Sequence, residues 1–245
     1  AVALASVAPG DRLVIYVGKL IASKGVELLL AAWPLIRARE PRARLLVVGF
    51  GAFRGGLEDL AAALDAGDLD RARATRAESG AALPHLDAFL ARAGADYAEA
   101  ARGMAASIAW AGRLEHGELA DVLPAAEAMV VPSTFPEAFG MVAAEAAATG
   151  ALPVVARHSG LAEVARTLSA AVPPPARDWL TFDVGPTAVD ELAAAVGGWL
   201  EAPEDLRTAT REGIVAATRE RYSWDGVART VIAAARGELD DLPDP

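Results

Sequence analysis

Short apolar runs alternating with helical periodicity predict a doubly wound α/β fold on a parallel sheet, with a helical insertion between its second and third strands. Three observations carry this. A strand–helix–strand unit opens the chain, the same alternation returns after residue 104, and the stretch between is helical with no strand pattern.

The β-branched and aromatic run 12–17, ending at Gly18, reads as a buried strand. After the loop 19–23, Val26, Leu29, Leu30, Trp33 and Leu35/Ile36 recur at helical spacing, with Ser23 the expected N-cap. Pro34 should kink this helix, Pro41 closes it, and 44–48 with Gly49 forms a second strand. A strand, helix and strand this close together make a right-handed parallel crossover. The following stretch, about 53–104, shows helical patterns at 57–64, 69–78, 86–93 and 97–102. An ordinary crossover needs far fewer residues, so it is expected to be an inserted helical subdomain. Strands at 107–111, 128–131 and 152–156 then alternate with helices at 118–126, 140–149 and 161–168. Pro173 to Pro175 marks a rigid loop, helices at 189–200, 203–221 and 224–237 close the domain, and the acidic tail 238–245 should fray.

At 245 residues the chain suits one large α/β domain, and two full domains would be cramped. Of its residues 53% are hydrophobic, much of that Ala, and only 6% aromatic, so packing must use close contacts between small side chains. Charge-free stretches such as 146–156 fall short of the roughly 18–20 apolar residues that a bilayer crossing needs. No transmembrane segment is expected. The N-terminus has neither an initiator Met nor the basic-then-apolar order of a signal peptide, and reads as a cut end. The absence of Cys excludes disulfides and thiolate chemistry and fits a cytoplasmic location. A net charge of −10 argues against nucleic acid or anionic lipid as partners. An anionic ligand must then be held by a few local donors.

The densest chemical signal is Pro132-Ser133-Thr134-Phe135-Pro136-Glu137-Ala138-Phe139-Gly140-Met141, followed by Glu145. A strand ends at Val131, a loop carries Glu137, and a helix starts near Gly140. The unpaired N–H groups of that first turn, at the positive end of the helix dipole, suit an anion or a hydroxyl-rich ligand. Gly140 lets a ligand approach the backbone closely. Glu145, about a turn and a half into the helix, can face the same crevice and accept from vicinal hydroxyls. On spacing alone, a solvated loop Glu and an ordinary helix Glu account for the pair equally well.

Two glutamates eight apart in a Pro-Ser…Glu-x-Phe-Gly…Glu-Ala frame resemble the signature of glycosyltransferase family 4, whose members adopt the GT-B fold of two Rossmann-like lobes. The resemblance covers nearly the whole chain outside the helical insertion. It implies that Glu137 approaches the hydroxyls of a donor sugar and that Glu145 binds the nucleotide ribose. It also implies that the amides of Phe139, Gly140 and Met141 contact sugar and diphosphate. Gly18-Lys19-Leu20-Ile21-Ala22-Ser23-Lys24-Gly25 resembles the family's Gly-Arg-Leu…Lys-Gly segment, whose cations neutralise the diphosphate. Lys24 matches directly, whereas Lys19 stands for the usual Arg and lacks its bidentate fork. Without the resemblance, two Lys in a loop read as surface charges.

Ala111-Gly112-Arg113-Leu114, with Glu118-Leu119, is similar to the segment flanking the nucleotide base, which makes Leu114 a base contact. His158-Ser159-Gly160, with Glu163, stands where the family has Gly-Gly-x-x-Glu, and Ser159 departs from that pattern in a way that could narrow the sugar pocket. Tyr222-Ser223-Trp224 resembles the family's closing segment, and also reads as simple packing. The resemblance thus implies the C-terminal, donor-binding domain of a retaining, metal-independent glycosyltransferase (hexosyltransferase type). Glu137, Lys19 and Lys24 would be its catalytic residues, and Gly18, Leu114, Phe139, Gly140, Met141 and Glu145 would bind the donor. The substrate is a nucleotide diphosphate sugar, and no further cofactor is implied. Acceptor contacts would come from an absent N-terminal lobe, without which the fragment should be inactive. The alternatives are a nucleotide-binding regulatory module and a GT-B sugar-nucleotide epimerase; a phosphorylase would need a pyridoxal phosphate Lys, for which there is no context.

Other signals carry less. Asp68-Leu69-Asp70 superficially matches a metal-binding Asp-x-Asp, but inside a helical stretch it reads as a solvated helix start. His85, His116 and His158 have no spacing suited to a metal. Gly49-Phe50-Gly51 lacks the third Gly and the acidic residue of a dinucleotide fingerprint.

Overall fold

The computed structural model describes residues 7–238, so the N-terminal end and the tail 239–245 lie outside the described residues. Six parallel strands form one sheet in the order β3-β2-β1-β4-β5-β6. These are β1 (Arg12–Val17), β2 (Ala43–Val48), β3 (Ile108–Gly112), β4 (Ala128–Val131), β5 (Leu152–Ala156) and β6 (Thr181–Phe182). The first three strands build outward on one side of β1. The chain then returns to the other side as β4, whose Ala128 and Met129 pair with Val14 and Ile15. This reversal between β1 and β4 is the topological switch point of a doubly wound sheet, where the two flanking loops diverge and leave a crevice.

Leu13, Val14, Ile15 and Tyr16 are all buried, as expected of a central strand covered on both faces. The helices form two layers. On one face α1 (Val26–Arg39) packs against α10 (Ala188–Glu201) and the helices of the insertion. On the other, α7 (Met141–Thr149) packs with α8 (Ser159–Ser169) and α11 (Glu204–Tyr222). Ala143, Ala144, Ala146 and Ala147 make the buried side of α7, the close small-residue packing that the composition implied.

Between β2 and β3 run α2 (Arg54–Asp65), α3 (Leu69–Arg73), α4 (Pro84–Arg92) and α5 (Ala95–Ala101). They are tied to the core through polar tips of aromatic rings. Trp33 Nε1 donates to Ser107 Oγ at 2.9 Å, and the Tyr97 hydroxyl donates to the Ala31 carbonyl at 2.8 Å. Trp33→Phe removes the indole donor and leaves a cavity where the second ring packed, and is expected to cost about 2–4 kcal/mol in urea unfolding.

Several local expectations need correction. Ser23 does not cap α1; it lies in a 3-10 turn (Ala22–Lys24), and Gly25, at φ 67°, is the N-cap. The helix expected over 69–78 stops at Arg73, and residue 78 instead turns toward β1. Asp68 caps that helix by accepting from the Arg71 amide at 2.9 Å, which accounts for the Asp-x-Asp. The expected rigid loop at Pro173 to Pro175 opens a short helix, α9 (Pro174–Arg177), with Pro at N1 where its missing N–H costs nothing. β6 has only two residues, too few to show a period. The remaining helices are α6 (His116–Val122) and α12 (Trp224–Ala235), and α1 runs on through Pro34 to Arg39. No helix among the described residues is long and apolar enough to cross a membrane.

Candidate functional site

Two loops leave the carboxyl ends of β1 and β4 at the switch point, and the structure joins them. After β1, the Tyr16 hydroxyl reaches over Gly18 to donate to the Lys19 carbonyl at 2.8 Å, which fixes the start of the turn. The 3-10 turn presents Lys24, and Gly25 swings the chain into α1. A Cβ on Gly25 would lie 1.9 Å from the Pro132 carbonyl oxygen, so both its positive φ and the close approach of the β4 loop require glycine there. Across the gap, the Thr134 amide donates to the Ser23 carbonyl at 2.9 Å.

The Lys24 ammonium forms a hydrogen-bonded ion pair with the Glu137 carboxylate, both groups partly buried. Ser133, almost fully buried, donates its hydroxyl to the same Glu137 oxygen at 2.5 Å. Burial pushes the Glu137 carboxyl up. Hydrogen bonds from Lys24 and Ser133, with the charges of Lys24 and His158, outweigh this and hold it below the usual carboxylate range. Glu137 is therefore an ionised acceptor at neutral pH, suited to hydroxyl groups.

Gly140, at φ 85°, caps α7 and aims the first-turn amides out of the sheet's carboxyl end. Phe139 and Met141 are exposed, and Met141 and Glu145 lie one turn apart on the exposed side of α7. Lys19 is exposed and makes no ion pair among the described residues. Leu114, half-buried, packs against the core after β3. Lys24 and Glu137 are thus in direct contact, with Gly18, Lys19 and Gly140 on the same two loops. Leu114 lies on the loop after the edge strand β3. A cavity of about 950 Å³ lies elsewhere, walled by α8, α11 and α12 and touching this region only through Phe139. Its lining includes Arg221 and Arg229 but neither Lys19 nor Lys24, so it is a separate hollow from the two loops.

Sequence reasoning missed Glu78 and Glu27, and it missed the contacts that Ser159 and His158 make. Glu78 comes from the loop after α3 and accepts the Ala22 amide at 3.0 Å, so the insertion reaches the lysine-bearing turn. Ser159 and His158 hold the Glu137 loop from the β5 side. Glu27, in the first turn of α1, is almost fully buried, with one carboxylate oxygen lacking any partner. Burial, reinforced by the charge of Glu78 against a hydrogen bond from its own amide, pushes Glu27 from 4.5 up to about 8. Burial and the charges of Glu137 and Glu27 also push the Tyr16 hydroxyl up. Neither the buried Glu27 nor Glu78 was signalled by a sequence pattern. Among the described residues no group of three or more His, Asp or Glu is placed to hold a metal ion.

The family model of glycosyl transferases group 1 matches residues 5–69 and 95–214. The chain belongs to this family. A glycogen synthase of Mycobacterium tuberculosis is 33% identical to it over 238 residues, covering 96% of this chain and 45% of that protein. The group 1 chain thus spans about half the length of such a curated relative. A sucrose-phosphate synthase from Thermosynechococcus elongatus superimposes with a TM-score of 0.62 at 24% identity, covering 97% of this chain and 48% of that one. Anabaena HepE, in complex with UDP and glucose, gives a TM-score of 0.58 at 18% identity, with 93% and 48% covered. These likenesses show the fold, a Rossmann-like sheet of the GT-B glycosyltransferase type. The group 1 match omits 70–94, a narrower segment than the helical stretch from 53 to 104, and Glu78 lies within it.

Proposed function

We propose that this chain is the C-terminal, donor-binding lobe of a retaining family 4 glycosyltransferase, moving a sugar from a nucleotide diphosphate sugar to an acceptor bound by another lobe. One observation carries the reading: at the switch point between β1 and β4, Lys24 pairs with Glu137 on the loop that leads into the Gly140 N-cap of α7. Lys24 and Lys19 supply positive charge where a diphosphate departs, and the α7 amides add fixed donors that need no rearrangement as charge develops. Those groups neutralise the leaving diphosphate without a metal. Glu137, held ionised, accepts from sugar hydroxyls, while Lys24, with three N–H donors, can serve Glu137 and phosphate together. Glu145 on the exposed side of α7 accepts from the ribose hydroxyls. Its exposure makes this contact dependent on a bound nucleotide.

Calorimetric titration with nucleoside diphosphates tests this, and the UDP complex of HepE makes UDP the first to try. Micromolar-to-millimolar binding is expected, weakened about tenfold by Glu145→Ala, the size of one hydrogen bond to a charged group. No transfer is expected from the chain alone, because a single lobe provides no acceptor contacts. Turnover by the purified chain contradicts the last point, and no binding to any nucleotide contradicts the whole reading.

A further inference from the structure

We infer that Ser159 is a positioning residue for Glu137, held in a strained conformation because its hydroxyl fixes that glutamate opposite Lys24. The inference rests on the donor-site reading above. Ser159 is the one non-glycine residue with a positive φ, 51°, among the described residues. L-residues avoid this region because Cβ crowds the following carbonyl, and such outliers persist only where surrounding structure over-determines them. Glycine adopts it without that penalty. The turn alone therefore does not ask for serine.

What serine adds is a hydrogen-bonding hydroxyl at the centre of a closed ring. The Glu137 amide donates to Ser159 Oγ at 2.9 Å. His158 Nδ1 lies 3.0 Å from the same oxygen, and His158 Nε2 lies 2.7 Å from the Ser133 carbonyl. A carbonyl only accepts, so Nε2 carries a proton and donates to Ser133, while Nδ1 shares a hydrogen bond with the Ser159 hydroxyl. The Ser133 hydroxyl then donates to the Glu137 carboxylate at 2.5 Å. The Glu137 amide, Ser159, His158 and Ser133 thus form a hydrogen-bonded loop that returns to the Glu137 carboxylate. The adjacent Gly160 amide donates to the Glu137 carbonyl at 3.0 Å, so Glu137 is held through the peptide groups on both sides of its Cα. The side chain that faces the sugar is thereby held from its own backbone, by a segment two strands away from Lys24.

The test compares Ser159→Gly and Ser159→Ala with the unaltered chain. Each is titrated with UDP, GDP and ADP and with their glucose conjugates, and each is melted. Glycine removes hydroxyl and strain together, while alanine removes only the hydroxyl. Both variants should stay folded, with the alanine variant melting about 2–4 °C below the glycine one. Both should bind the nucleoside diphosphate as the unaltered chain does, yet lose about fivefold of the extra affinity contributed by glucose, comparable to one hydrogen bond. A role confined to holding the fold would not separate sugar-dependent from nucleotide-dependent affinity. Lys24→Ala serves as the reference, weakening both ligands together. An unchanged glucose contribution in Ser159→Gly overturns the inference and leaves the donor-site reading standing. Failure of the unaltered chain to bind any of these ligands overturns both.

Discussion

Lys24→Ala is expected to weaken nucleoside diphosphate binding about 10- to 100-fold at low ionic strength, the equivalent of about 1.5–3 kcal/mol for a charged hydrogen bond. Two effects add. The diphosphate loses a cation, and Glu137 loses its ion-pair partner, leaving an uncompensated carboxylate beside an anionic ligand. The Lys24 side chain is 29% exposed, so added salt should screen the contact and narrow the gap between variant and parent. Lys24→Arg should recover much of the loss, because it restores the charge. Lys19→Ala should matter less, since Lys19 stands in solvent and starts without an ion pair. Calorimetry at about 20 mM and about 500 mM salt reads all three variants. Equal affinities for Lys24→Ala and parent at low salt are incompatible with Lys24 as a phosphate ligand.

The second large effect concerns stability. Glu27 titrates near 8 in the fold and near 4.5 when exposed, so between these values the folded chain binds more protons than the unfolded one. Stability then falls as pH rises: the contribution of the neutral carboxyl is complete below about 4.5 and is lost progressively toward 8. By pH 7 the wild-type chain should have lost about 3 kcal/mol relative to acidic pH, at 1.36 kcal/mol for each pH unit crossed. Glu27→Gln removes the titration and keeps the shape. In urea unfolding between pH 5 and pH 8, the variant should show a flatter profile, most stabilised relative to wild type at pH 8. Parallel profiles for the two chains would show that Glu27 is not the group responsible. A neutral Glu27 also suits the site, because an ionised one would add negative charge behind the lysine-bearing turn.

Much of the fold was legible because strands buried on both faces read as continuous apolar runs. β1, β4 and β5 begin and end where those runs do. The glutamates and lysines were singled out by the family resemblance rather than by spacing, and Gly25 and Gly140 fix the turns that carry them. What escaped detection depends on long-range geometry. Glu78 is one acidic residue among many in an Ala, Asp and Arg-rich stretch, and only the fold of the insertion brings it to the Ala22 amide. Glu27 carried no signal in the sequence, and its burial arises from packing by chain distant in sequence. Ser159 was visible as a departure from Gly-Gly, but its φ and its tie to Glu137 were not. Helix ends at Gly25 and Arg73 were misplaced because loop contacts, with Thr134 and with Ala22, override local capping preference.

The convergence of the β1 and β4 loops on one diphosphate is tested most directly by backbone amide chemical shifts of the ¹⁵N-labelled chain during titration with the nucleoside diphosphate that binds. The expected result is that amides of 18–25 and 137–142 shift together, with a common dissociation constant. Shifts confined to the cavity walls on α8, α11 and α12, or moving only one of the two loops, would contradict a shared site.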